Sequence, residues 1–530
     1  MAAPVHDASR MERTAGRPTA DHDLVFVGAG ASTAYVLMGL LAALEDRPPA
    51  APLRIGVVER EPDAFSGIAY GGRAARASLL ITSLRDFLPD DERALFVAWL
   101  ASNKDRVFTE FVAEAGPLSV RWWARHRAEL DLDEFESLYL PRHVFGTYLM
   151  ERTWRAIARA EAAGLARTDV VQDEVGSIER AAGGYLLHTG SGDVRTGQVV
   201  LATGSPPVLP RLPPRHEHPA VALVDDPFGG MAAAVELIRP AVQRPRLSGR
   251  PPHVVLIGGN AGTMDVLYHL NDLDVPALQQ AVFTVLSPRG ELPERMEDEH
   301  EPLPFSPEHL LALDHGDPVE AVGVFRAALA DIARGRDLGL SVADTLRPIS
   351  RAVGQLLGRL PRQEALEFAG RWGGELGRHQ RRAGREYSEV VERLGTDGRL
   401  HQVPGRFLDV RDASPDGVHV RFEQDGRLLD LDLPADVVVN CAGPARELRQ
   451  AGSTLLSQLL TSGICRATPF GGGIAVDACL EAAPGLFVMG PLLAGNLVNG
   501  APLWHMEHCG RISSYGSALG ADLARRLAAA

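Results

Sequence analysis

Two segments of this chain, residues 24–44 and 253–273, repeat one pattern: an apolar strand, a glycine-rich turn and an amphipathic-to-apolar helix. The strands at 24–27 and 254–257 contain only apolar residues. Such uninterrupted apolar runs are typical of parallel strands that are covered by helices on both faces. The duplication therefore predicts an α/β protein built from two Rossmann-like units.

The first unit has the residues that a dinucleotide site requires. Gly28 permits a tight turn and Gly30 lets the backbone approach a pyrophosphate, while Ser32 and Thr33 stand where the helix begins. Glu59 ends the second strand, 54–58, where an acid binds ribose hydroxyls. Strand, turn, helix and distal acid together predict FAD binding. The alternative is an ordinary glycine-rich turn between a strand and a helix.

The second unit departs from this pattern. Gly258, Gly262 and Thr263 keep their places, but Asn260 replaces the glycine next to which a pyrophosphate would pass. No acid ends the following strand, 281–286; Arg289 stands there instead, which suits a 2′-phosphate and predicts NADPH rather than NADH. The alternative is a vestigial Rossmann unit that is kept for packing.

Three more glycines, Gly204, Gly443 and Gly490, follow apolar strands and are predicted to contact the nucleotides. The resulting division of the chain is a mobile tail at 1–20, the first part of the FAD unit at 21–238, a linker at 239–252, the first part of the NAD(P) unit at 253–306, a helical insertion at 307–400, the closing strands of the NAD(P) unit at 401–450, and the C-terminal part of the FAD unit at 451–530.

Composition excludes several other classes of protein. A net charge of −14 argues against a general nucleic-acid binder. The longest apolar stretch, 34–44, is too short to span a membrane, and the first 20 residues do not form a signal peptide. Four cysteines without a C-x-x-C pair predict a reducing cytoplasm. The acidic run 297–301 reads as a solvated loop, so no metal site is predicted.

Several short segments resemble those of a known group. These are residues 66–71, 79–83, 141–149, 287–290, 378–382 and 440–444. From Asp23 onward, the chain resembles the bacterial FAD/NAD(P)-binding family of flavoproteins with two dinucleotide-binding domains. That family is related to the flavin-dependent N-hydroxylating monooxygenases, including aspartate N-monooxygenases.

The resemblance implies that NADPH reduces the flavin, and that a flavin C4a-hydroperoxide then oxygenates a small amino acid or amine, with aspartate as a candidate. It also implies that Trp504 and His505 lie beside the flavin, with His505 and His508 on the C-terminal helix. Arginines suited to a substrate carboxylate lie in or beside the family-like segments; they are Arg73, Arg76, Arg85 and Arg142.

Alternatives remain at this point. These four arginines could instead pair with Asp86, Asp90 and Asp91 at the surface. The basic stretch 371–385 is interpreted as a solvated helix face. The whole chain could be an NAD(P)H-dependent flavin oxidoreductase that transfers no oxygen, or a non-catalytic flavoprotein subunit. Whether it forms a homo-oligomer is left open by the sequence.

Overall fold

The structure is a computed structural model, and it describes residues 21–214, 218, 220–296, 301–313, 319–414 and 416–528. The predicted tail, 1–20, and most of the acidic run at 297–301 lie outside the described residues. The predicted fold class is confirmed, because two separate parallel sheets each carry helices.

The described residues form twenty strands and eighteen α-helices. The strands are β1 Asp21–Val27, β2 Leu53–Glu59, β3 Ala166–Gln172, β4 Val175–Ala181, β5 Gly184–Thr189, β6 Gly192–Leu201, β7 Ala222–Val224, β8 His253–Ile257, β9 Val282–Ser287, β10 Glu294–Arg295, β11 Arg382–Ala383, β12 Leu400–Pro404, β13 Arg406–Ser414, β14 Gly417–Gln424, β15 Arg427–Asp430, β16 Val437–Asn440, β17 Glu481–Ala483, β18 Leu486–Val488, β19 Leu497–Val498 and β20 Ala501–Pro502. The helices are α1 Ala31–Asp46, α2 Gly67–Tyr70, α3 Leu84–Phe87, α4 Asp90–Ala113, α5 Pro117–Arg125, α6 Arg127–Asp131, α7 Arg142–Ala162, α8 Met231–Gln243, α9 Ala261–Asp272, α10 Pro276–Gln280, α11 Glu308–Ala312, α12 Ala321–Asp337, α13 Val342–Leu357, α14 Arg362–Glu367, α15 Gly373–His379, α16 Arg385–Thr396, α17 Thr454–Thr461 and α18 Cys509–Ala528.

The first sheet has the order β17-β18-β6-β1-β2-β3, and the β4–β5 hairpin is attached to β6. Strands β18, β6, β1, β2 and β3 run parallel, so their carboxyl ends meet at one edge. The glycine turn after β1 and the glycine that follows β18 therefore lie near each other, although they are far apart in the sequence.

The second sheet, β12-β9-β8-β16-β7, is parallel throughout. Strand β7 pairs with β16, so the second unit already includes residues 222–224 and the boundary predicted at 238 is too late. A three-residue strand whose partner lies some two hundred residues away leaves no local pattern. The predicted linker, 239–252, also begins inside α8, whose interior contains Pro240.

The chain between β9 and β12 is mainly helical and contains α11 to α16, as expected for the insertion at 307–400. Helices α11, α12, α13 and α15 share a hydrophobic core of their own, centred on Phe325, Ile349 and Phe368, whereas α16 packs with the main core. The antiparallel sheet β13-β14-β15 was not anticipated; its Val418 and Val420 pack with Val255 of β8, so that this sheet covers one face of the second sheet.

One buried carboxylate joins the start of β16 to the segment that precedes β8. Asp436 is fully buried and forms ion pairs with three arginines, Arg244 at 3.3 Å, Arg246 at 3.0 Å and Arg250 at 2.7 Å. It also accepts the backbone N–H of His253 at 2.8 Å. The negative charge of Asp436 therefore compensates the positive charges of three converging guanidinium groups.

We expect Asp436→Asn to lower the free energy of unfolding by about 3–5 kcal/mol, because removing one partner leaves buried charges without compensation. Denaturant unfolding of the purified variant measures the effect. Asp409→Asn, which removes a partly exposed pair with Arg421, is the control and should cost less than about 1 kcal/mol. Equal losses in both variants would contradict a special role for Asp436.

Candidate functional site

The turn after β1 is shaped by a glycine that the fold itself requires. Gly28 has a φ of +93°, and a Cβ built on it would lie 2.6 Å from the carbonyl oxygen of Ala202. The hydroxyl of Thr33 donates to the Gly28 carbonyl at 2.5 Å and ties the first turn of α1 to the strand end. Both residues shape this turn, and their contact with FAD stays a prediction.

Gly30 differs, because the protein does not need it to lack a side chain. A Cβ there would meet only the Cα of Gly67, at an ordinary 3.6 Å. In the described part of the chain, no side chain caps α1, so the N–H groups of its first turn remain available. Open space in front of free helix N–H groups is what a pyrophosphate requires.

Three further predicted residues lie at the carboxyl ends of strands in the first sheet. Gly490 follows β18 with a φ of +83°, and a Cβ on it would lie 2.5 Å from the Ser32 hydroxyl. Glu59 ends β2 and accepts the backbone N–H of Ala29 at 2.5 Å. Gly204 follows β6 with a φ of +78° and open space around it. These residues fit the adenosine and pyrophosphate parts of FAD.

The second unit repeats the geometry of the first turn. Gly258 has a φ of +117°, and its Cβ would lie 2.7 Å from the carbonyl oxygen of Cys441. The Thr263 hydroxyl donates to the Gly258 carbonyl at 2.7 Å. Gly443, with a φ of +88°, has open space around it, as Gly204 has in the first unit.

Asn260 breaks the symmetry between the two turns. Its Oδ1 accepts the N–H groups of Gly262 at 2.9 Å and Thr263 at 3.3 Å, and its Nδ2 donates to the Cys441 carbonyl at 2.9 Å. The N–H groups that a pyrophosphate would use are therefore already hydrogen-bonded. The ring of Phe228 also lies over Gly262, 2.8 Å from where a Cβ would be.

Arg289 lies just beyond the carboxyl end of β9, where a 2′-phosphate is expected. Its guanidinium donates to the carbonyl of Arg378 at 3.2 Å and lies 3.4 Å from Nε2 of His379. Its Nε is 3.6 Å from a carboxylate oxygen of Glu291. About a third of the side chain remains exposed, so it is accessible to a phosphate.

Arg142 belongs to a buried polar network. It pairs with Asp265 of α9 at 3.2 Å and donates to the carbonyl of Leu79 at 2.8 Å. The Tyr387 hydroxyl donates to Asp265 at 2.7 Å and accepts the N–H of Leu79 at 2.8 Å. Asp265 raises the pKa of Arg142, against the effect of its burial. Arg142 thus contacts protein groups, which does not favour its predicted role at the substrate.

The other three predicted arginines pair with glutamates rather than with the aspartates named from the sequence. Arg73 pairs with Glu61, Arg76 with Glu114 at 3.0 Å, and Arg85 with Glu136 at 3.9 Å. The partners come from other parts of the chain, so sequence proximity pointed to the wrong acids. Arg76 is half exposed and Arg85 slightly more than half exposed in these pairs.

Trp504 and His505 are not helical, and neither is His508, because α18 begins only at Cys509. The hairpin β19–β20 keeps the preceding chain extended, with Leu503 pairing to Asn496. The Trp504 ring packs edge-on against Phe368 of the insertion at 5.5 Å. His505 pairs with Glu507 at 2.8 Å, and both side chains are about half exposed.

Sequence analysis missed two residues in the basic stretch 371–385. Arg371 and Arg378 pair with glutamates of their own helical segment, as a solvated face would. Gln380 and Arg381 do not follow that pattern, since neither donor group has a partner among the described residues. The family-like segment 378–382 was the available signal.

Comparisons with known proteins place the chain in a family. Residues 25–206 match the FAD-NAD(P)-binding family. The uncharacterized protein Rv3403c of Mycobacterium tuberculosis is 32% identical over 512 residues, which cover 94% of this chain and 95% of that protein. The chain belongs to the FAD-NAD(P)-binding family.

Two solved structures share its fold. An ornithine N-hydroxylase of Kutzneria sp. 744 has a TM-score of 0.54 and 16% identity, covering 96% of this chain and 99% of that chain. Reduced ornithine hydroxylase PvdA of Pseudomonas aeruginosa has a TM-score of 0.53 and 14% identity, with the same coverage. The matched family binds FAD and NAD(P), and the fold is the one that these two flavoproteins share.

The described residues contain neither a metal-binding cluster nor a membrane-spanning helix. No three histidine, cysteine, aspartate or glutamate side chains in that part of the chain are grouped so that they could hold a metal ion. No described helix is both long and apolar enough to cross a membrane.

We expect Gly30→Val to fold but to lose FAD, because its side chain fills the space next to the free N–H groups of α1 while the protein around it tolerates a Cβ. Flavin content and thermal unfolding of the same preparation measure the two effects. Gly323→Ala on α12, also in open space, is the control and should keep its FAD. A Gly30→Val protein with full flavin content would contradict this site.

We expect Asn260→Gly to bind NADP⁺ more tightly, by about tenfold, because two N–H groups and the space of the side chain become available to the pyrophosphate. Titration calorimetry on the FAD-loaded protein gives the dissociation constant. Losing the cap should cost only a few tenths of a kcal/mol of stability, because glycine substitutes well at this position. Weaker NADP⁺ binding would show instead that the Asn260 side chain contacts the dinucleotide.

Proposed function

We propose that this protein is an FAD-dependent, NADPH-using monooxygenase that N-oxygenates a small amino acid or amine, with aspartate as the first candidate and dioxygen as co-substrate. The observation that carries the proposal is the glycine turn after β1, whose open space and free helix N–H groups suit FAD. Bound FAD would accept a hydride from NADPH and activate dioxygen.

The chain's own residues have three tasks in this proposal. Glu59 and the first turn of α1 would hold the ribose and the pyrophosphate. Arg289 would bind the 2′-phosphate of NADPH. Trp504 packs on Phe368 and Gly373 of the insertion, which would help to exclude water from the site.

N-oxygenation is favoured over other flavin chemistry by the fold shared with two ornithine hydroxylases, one of them solved with NADP⁺ and L-ornithine. Disulfide reduction is disfavoured because no two of the four cysteines form a C-x-x-C pair, and three of the four are buried. Free thiols also support a location in the reducing cytoplasm.

A second candidate is a flavin oxidoreductase that reduces a quinone or a protein and transfers no oxygen. It uses the same FAD and NADPH sites, so the structure around α1 supports it equally. A non-catalytic flavoprotein is the third candidate, and the capped N-terminus of α9 is the observation that favours it. Both differ from the proposal in what happens to dioxygen.

The test is NADPH oxidation under ¹⁸O₂ with a panel of amino acids and amines, with the product mass and hydrogen peroxide recorded together. N-oxygenation predicts labelled oxygen in one product and less peroxide when that substrate is present. NADPH consumption that yields only peroxide with every amine, together with rapid quinone reduction, would favour the plain oxidoreductase. An FAD-loaded protein that never oxidises NADPH would favour the third candidate, the non-catalytic flavoprotein.

A further inference from the structure

Two adjacent side chains at the end of α15 have hydrogen-bond donors without acceptors. The Gln380 amide nitrogen is buried and has no partner among the described residues. Arg381 is only partly exposed, and its guanidinium forms no hydrogen bond or ion pair with any residue that the structure describes. Its neighbour Arg378, by contrast, pairs with Glu375 at 2.6 Å.

A guanidinium that is partly withdrawn from water and has no partner is unfavourable. Burial and the positive charges of Arg378 and Arg289 lower the pKa of Arg381, so the surroundings work against its charge. Groups of this kind are normally paired with an anion or another acceptor. A buried amide donor and a guanidinium on consecutive residues therefore point to a ligand that has acceptor oxygens.

These donors lie where the insertion meets the rest of the site. On one side, Arg289 donates to the backbone of Arg378 and so connects this segment with the end of β9. On the other side, Trp504 packs on Gly373 at the start of the same helix, α15. Residues 380–381 thus lie between the predicted NADPH site and the segment that precedes α18.

The negative charge of Glu507 near Arg381 affects which anion can bind there. Glu507 lies close enough to Arg381 for each to affect the pKa of the other, yet the two form no ion pair. A second carboxylate at this distance would repel a dianionic phosphate. A monoanionic carboxylate is repelled less, especially when its molecule also carries an ammonium group.

We propose that Gln380 and Arg381 bind the carboxylate of an amino-acid substrate. The guanidinium fork and the amide nitrogen supply donors to both carboxylate oxygens. This inference rests on the proposed function, because only that function makes the bound amino acid a substrate. It narrows the substrate class from amines in general to amino acids. It also assigns the binding of the substrate carboxylate to residues other than the four arginines named from the sequence, because those four are all paired within the protein.

The test uses three amino acids and the amines that remain when all their carboxylates are removed: L-aspartate with ethylamine, L-ornithine with putrescine, and L-lysine with cadaverine. Binding to the FAD-loaded protein is measured by calorimetry, without turnover. The wild type should bind at least one amino acid more tightly than its paired amine. Arg381→Gln should raise the dissociation constant of that amino acid about tenfold or more and leave the amine unchanged.

Arg381→Lys keeps the charge but loses the planar fork, so it should restore only part of the affinity. Arg385→Gln, an exposed arginine on α16, controls for the general loss of positive charge and should bind as the wild type does. Flavin content and melting temperature of each variant show whether it is folded. Equal losses for the amino acid and the amine would overturn the proposal, since the residue would then be structural.

A second test asks whether Arg381 binds the 2′-phosphate of NADPH instead of a substrate carboxylate. Anaerobic flavin reduction is measured with NADPH and with NADH, and Arg289→Ala serves as the reference for a lost 2′-phosphate contact. A defect of Arg381→Gln that is confined to NADPH would overturn the proposal and assign this residue to the 2′-phosphate. If no amino acid is oxygenated but Arg381→Gln still loses carboxylate binding, the proposed function fails and the carboxylate site stands.

Discussion

The site depends on how closely the last helix packs against the first. A Cβ on Gly520 of α18 would lie 2.3 Å from the carbonyl oxygen of Val36, and one on Gly39 of α1 would lie 2.9 Å from the Cα of Ser517. Only glycine allows the two backbones to approach so closely. This crossing ties the end of the chain to the first Rossmann helix, and the segment before α18 consequently reaches the glycine turn, where Gly490 meets Ser32.

Much of this arrangement could be predicted from the sequence because its signals are local. The strands β1, β2, β8 and β9 are continuous apolar runs, and buried parallel strands need little else to be recognised. Gly28 and Gly258 could be assigned because a left-handed backbone next to another strand excludes other residues. The helices begin earlier than the apolar pattern indicated, at Ala31 and Ala261, so that Thr33 and Thr263 lie inside their first turns.

What could not be predicted depends on partners that are distant in the chain. The sequence shows that Asn260 replaces a glycine, but only the structure shows its side chain turned back onto the helix it precedes. The arginines after the first unit were expected at a substrate carboxylate or in pairs with nearby aspartates, and the glutamate partners of three of them could not be deduced from spacing. The missing partner of Arg381 is likewise visible only when all its neighbours are in place.

The network of Arg142, Asp265 and Tyr387 has a mechanical consequence. It joins the first unit, the second unit and the insertion through groups that are almost wholly buried. Rotating one unit against another would leave the Asp265 carboxylate without its guanidinium partner, which typically costs about 3–5 kcal/mol. The network therefore opposes rotation of the units against each other at this junction. An exchange of positions between nicotinamide and substrate by rotation of the units would have to break it, whereas movement of the small molecules and of the side chains that hold them would not.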